Sequence, residues 1–83
     1  MGGGLVRLKT IFAMLDDCAR GHERRESDHY WRIAWEGKYY ATLPTGGHGE
    51  RNPEIQPGHV RKMTRALDID KDCASRHIPR LFQ

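Results

Sequence analysis

Apolar residues recur at three- and four-residue steps in the segment LKTIFAMLDDCARG. Leu8, Ile11, Phe12, Leu15 and Cys18 form one stripe, with Met14 beside it. That spacing predicts an amphipathic helix with one face on a core. Ala13, Asp16, Asp17 and Arg20 fill the other side, and Gly21 suits the helix end because it accepts left-handed backbone. A second helix is predicted over HVRKMTRALDI, where Val60, Met63 and Leu67 make a narrower stripe and Pro57-Gly58 fits a helix start.

Between them the period changes from helical to alternating. HYWRIAWEGKYYATLP reads as two strands joined at Glu36-Gly37, since Gly at the second turn position suits a tight type I′ reversal. A two-residue turn sets Trp35 opposite Lys38, Ile33 opposite Tyr40 and Trp31 opposite Thr42. Alternation then places His29, Trp31, Ile33, Trp35 and Tyr40 on one face, the better candidate for the helix-covered side. Tyr30, Arg32, Ala34, Tyr39, Ala41 and Leu43 take the other. The polar segment HERRESD before the hairpin is either an edge strand, where charges discourage stray pairing, or an extended connector.

PTGGHGERNPEIQPG is a loop, broken by glycines, prolines and an Asn-Pro pair, with His48 at its centre. The tail, residues 70–83, predicts a short helical turn before Pro79, with Ile78, Leu81 and Phe82 available to cover a core edge. A helix, two or three strands and a helix make an α+β fold, with the helices on one face of a small antiparallel sheet.

A chain of 83 residues is one domain with a small core. Residues 1–7, which include MGGG, read as a flexible leader, 8–69 as the core and 70–83 as an extension. No apolar run has membrane-spanning length, and no signal-peptide pattern opens the chain, so the expected compartment is the cytoplasm. Fourteen Lys plus Arg against eleven Asp plus Glu leave a net charge of +3 with His neutral. That excess is small, so its placement decides what it means.

Cys18 and Cys73 are the only cysteines. In such a compartment the leading expectation is two free thiols in the core. Each cysteine precedes a histidine by four residues, in CARGH and CASRH. A zinc set of Cys18, His22, Cys73 and His77 is therefore an alternative, because i,i+4 pairs share a helix face. A disulfide is a further alternative.

The order of several segments carries a family resemblance. SDHYWRI, GKYYATLP, GGHGE and EIQPGHVRKMTRALDI follow one another as in HicA-type (YcfA-like) toxins, and together they span roughly residues 8 to 69. The chain resembles that family of small bacterial ribonucleases. The resemblance implies an α-β-β-β-α fold like that of double-stranded-RNA-binding domains, to which the short C-terminal helical extension with Cys73 and His77 is additional. It implies metal-independent cleavage of mRNA with His29 as the catalytic residue, no cofactor, and an acidic, HicB-like antitoxin protein covering the site.

The residues themselves offer matching chemistry. RNA cleavage needs a base at the ribose 2′-hydroxyl and an acid at the leaving 5′-oxygen, and histidine titrates near neutrality. His48 is the other histidine expected to reach a substrate. Arg61, Lys62 and Arg65 gather on one side of the second helix and are candidates for phosphate contacts. Trp31, Trp35 and Tyr39 are candidates for stacking on unpaired bases. Two other classes remain open: a non-catalytic RNA-binding or protein-interaction module on the same fold, and a small zinc-stabilised structural domain.

Overall fold

The computed structural model describes residues 4–45 and 51–82. Its elements in chain order are β1 (Val6–Arg7), α1 (Leu8–Cys18), β2 (Glu23–Glu26), β3 (Tyr30–Trp35), β4 (Lys38–Pro44), β5 (Glu54–Ile55), α2 (Pro57–Ala66) and α3 (Lys71–His77). The fold is α+β, with a three-stranded antiparallel sheet in the order β2-β3-β4. A second, two-residue pairing joins β1 to β5, Val6 opposite Ile55 and Arg7 opposite Glu54. Val6 and Arg7 were expected in the leader; Val6 is instead 8% exposed and belongs to the core.

The first predicted helix forms with its stripe inward: Leu8, Ile11, Met14 and Leu15 are buried. Its first free N–H groups are met from far along the chain. Leu8 N–H donates to the Pro53 carbonyl at 3.0 Å and Lys9 N–H to Asn52 Oδ1 at 2.9 Å. The unsatisfied donors of the helix start are thus covered by the segment leading into β5. After the helix, Gly21 adopts φ +84°, the left-handed conformation expected there.

β2 is the charged edge strand, its four residues exposed. Pairing with β3 sets Arg24 opposite Ile33 and therefore on the helix side. There its guanidinium lies 4.3 Å from the Phe12 ring centroid and pairs with Asp16 at 3.8 Å. The arginine stem covers apolar surface at an edge that, among the described residues, has no further strand.

The hairpin turn is as expected: Glu36 and Gly37 both take positive φ, +52° and +78°. The first three pairs also match, Trp35 with Lys38, Ala34 with Tyr39 and Ile33 with Tyr40. Beyond them the register shifts, and Trp31 stands opposite Leu43 rather than Thr42. One extra residue on β4, with Ala41 and Thr42 spanning the place opposite Arg32, is a β-bulge. It reverses the parity of the strand beyond it. Leu43, expected on the outer face, is fully buried beside Ile33, whereas Ala41 and Thr42 are exposed.

α2 covers the same side of the sheet as α1, burying Val60 and Met63 with Leu67 just after it. Thr64, also buried, returns its hydroxyl to the Arg61 carbonyl at 2.8 Å. α3 starts at Asp70, whose side chain accepts from Cys73 N–H at 3.1 Å. Ala74, Ile78 and Leu81 close the core from this end.

Candidate functional site

His29 sits in the two-residue reversal between β2 and β3. Ser27 N–H and Ser27 Oγ both donate to the Tyr30 carbonyl, at 2.8 and 3.0 Å, which closes the turn. The imidazole is exposed and lies edge-on to Tyr30, ring centroids 6.5 Å apart. Although alternation assigned it to the helix-covered face, the turn begins before that face is enclosed. The His29 carbonyl accepts from Thr45 N–H at 3.2 Å, so the end of β4 is pinned to this turn. His48, three residues further along the chain, lies outside the described residues.

The basic set on α2 divides. Arg61 is partly buried and donates to the Leu81 carbonyl at 3.1 Å, so it ties the helix to the C-terminal extension. Lys62 and Arg65 are exposed. Of the stacking candidates, both tryptophans serve packing. Trp31 meets Phe12 edge-on at 5.0 Å, and Trp35 Nε1 donates to the Arg20 carbonyl at 2.9 Å. Tyr39 is 59% exposed.

The expectation of free core thiols is overturned: Cys18 and Cys73 form a disulfide, with Cα atoms 5.8 Å apart. The end of α1 and the first turn of α3 face one another, which brings together two sulfurs 55 residues apart in sequence. The zinc set does not assemble. Gly21 ends the helical path before His22, whose Nδ1 bonds the Ala19 carbonyl at 2.8 Å instead. His77 Nε2 meets Asp17 Oδ2 at 2.9 Å. Asp17, Cys18 and Cys73 do cluster. Sulfurs joined to each other, however, have no thiolate to offer a metal. The hydrogen bond from His77, helped by the charges of His77, Arg20 and Arg76, holds the Asp17 carboxyl below its ordinary range against the opposing cost of burial.

No known protein family, curated protein or solved structure matches this chain. Its own geometry therefore carries the functional argument. Among the described residues, no helix is long and apolar enough to cross a membrane.

One group of residues was not singled out from sequence. On the sheet face away from the helices, Arg25 of β2 stands directly opposite Arg32 of β3. Arg32 lies over the Tyr39 ring of β4 at 4.9 Å, and Tyr30, two residues before it, is 45% exposed. A shallow depression of about 280 Å³ opens here, lined by Glu23, Arg24, Arg25, Arg32 and Ala34. Alternation already placed Tyr30, Arg32 and Tyr39 together. Arg25 joined them only once β2 was paired in register.

Proposed function

We propose that this domain binds RNA and cleaves it as a metal-independent endoribonuclease, the toxin half of a HicA-like toxin–antitoxin pair acting on mRNA. The observation that supports this reading is the exposed imidazole of His29, set in a closed turn whose carbonyl pairs with Thr45 at the end of β4. A ring on a backbone held at both ends, yet open to solvent, suits proton transfer with a substrate from outside.

In the proposed reaction the ribose 2′-oxygen attacks the adjacent phosphorus and gives its proton to one imidazole. The bond to the 5′-oxygen breaks, and that oxygen takes a proton from a second acid, leaving a cyclic phosphate and a 5′-hydroxyl. His29 supplies one of these groups and His48 the other. Lys62 and Arg65 remain open for phosphate contact, while Arg61 is committed to Leu81. The antitoxin proposed to silence the protein is an acidic chain that covers His29.

The test is cleavage of single-stranded RNA by the purified chain, together with growth arrest on induction. Exchanging His29 for Ala is expected to slow cleavage by roughly 10²–10⁴-fold with the fold retained. RNA left intact by the parent chain, with growth unaffected, would sink the enzyme reading. A non-catalytic RNA-binding module is the second reading, favoured by the exposed arginine and tyrosine face of the sheet. RNA affinity without any cleavage selects it.

A further inference from the structure

The face of the β2-β3-β4 sheet turned away from the helices contributes nothing to the core, yet its composition is unusual for a solvated surface. Arg25 and Arg32 are directly opposed across an antiparallel pair. Like charges in that position repel. Other arginines nearby are neutralised: Arg24 by Asp16, and Arg20 by Asp17. Among the described residues, neither Arg25 nor Arg32 has a carboxylate partner. Glu23 is two pairs further along, opposite Ala34, at the rim of the same depression. Beside this cationic centre stand two of the three large apolar side chains that the described residues expose, Tyr30 and Tyr39.

We infer that this face is a platform for single-stranded RNA, with Tyr30 and Tyr39 stacking on unpaired bases and Arg25 and Arg32 jointly holding a backbone phosphate. The inference rests on the RNA reading above and moves the main contact surface from α2 to the sheet. An anion between the two guanidiniums converts their mutual repulsion into two attractions. Arginine presents a planar fork of donors that matches phosphate oxygens. Stacked on Tyr39, the Arg32 guanidinium is held in orientation by the ring while its in-plane N–H groups stay free.

The tyrosines decide which nucleic acid fits. Exposed rings on a sheet accept bases that have left a helix, and stacking tolerates any base, so the platform prefers single strands without strong sequence preference. The order along the strand gives the platform a direction. His29 in the turn is followed by Tyr30 and Arg32 on β3, and its ring lies 6.5 Å from that of Tyr30, so a strand lying across Arg32 and Tyr30 ends near the imidazole.

The experiment measures binding of a short fluorescein-labelled oligouridylate to the full chain carrying His29→Ala, so that cleavage does not intrude. Adding Tyr39→Ala is expected to weaken binding roughly tenfold, and Tyr39→Phe to restore it. Replacing both Arg25 and Arg32 with Gln is expected to flatten the plot of log affinity against log salt by about 0.7, for the one phosphate they hold on a single strand. Circular dichroism verifies that each variant is folded. Unchanged affinity and salt slope in the sheet variants, or equal affinity for a labelled RNA duplex, overturns the platform. So does a loss of affinity confined to Lys62→Gln with Arg65→Gln. Should the sheet variants bind normally while the parent chain cleaves RNA, the platform is wrong and the nuclease reading stands. Should the sheet bind RNA that the parent never cleaves, the platform stands alone.

Discussion

Breaking the bridge between Cys18 and Cys73 tests how α3 is held to the rest of the domain. The bond spans 55 residues of an 83-residue chain, so it constrains most of the unfolded ensemble. On the chain-entropy account, closing a loop of that size contributes about 4 kcal/mol at room temperature. For a domain this small, whose whole stability is expected near the lower end of about 5–15 kcal/mol, that is a major share. Without the bridge, α3 is still held by the burial of Ala74, Ile78 and Leu81 and by the Asp17–His77 bond. The double change Cys18→Ala with Cys73→Ala is therefore expected to fold, with a melting temperature lowered by roughly 15–30 °C. Urea unfolding followed by tryptophan fluorescence reads the same loss as a lower midpoint. The slope should steepen, because an uncrosslinked unfolded chain exposes more surface. A thiol titration that finds two free cysteines in non-reduced native protein would refute the premise. Equal midpoints for oxidised and reduced protein would refute the energetic argument.

Three further expectations concern the hairpin and the helix junction. The bulge predicts that Leu43→Ala costs roughly 2–5 kcal/mol, whereas Thr42→Lys stays within about 0.5 kcal/mol; the reverse ranking in chemical denaturation would mean an unbroken register. Gly37→Ala should destabilise by about 1 kcal/mol through backbone strain alone, since an added Cβ meets nothing within 4 Å, and a neutral result would contradict the positive φ. The Asp17 carboxyl is held below its ordinary value in the folded state, so its contribution is complete above the unfolded value, about pH 3.9, and fades as pH falls through the lower folded value. The difference in urea midpoint between the parent and Asp17→Asn should thus shrink as the pH falls below about pH 4. A difference that persists unchanged in acid would show that another interaction is responsible.

The locally coded parts of the molecule were legible in the chain. The stripe of Leu8, Ile11 and Leu15 specified α1, Val60 and Met63 specified α2, and Glu36-Gly37 specified the turn, because each signal spans only a few neighbouring residues. The exposure of Tyr39 also followed from alternation. Four features depend instead on which distant segments meet. These are the bulge that turns Leu43 inward, the Val6–Ile55 pairing, the bond between Cys18 and Cys73, and the opposition of Arg25 to Arg32. Periodicity states which side of an element is apolar, but not the offset at which two elements dock. A one-residue change of offset exchanges the faces of a strand. That offset is set by the summed packing of the core, so tertiary structure alone decided which arginines share a surface and which sulfurs touch.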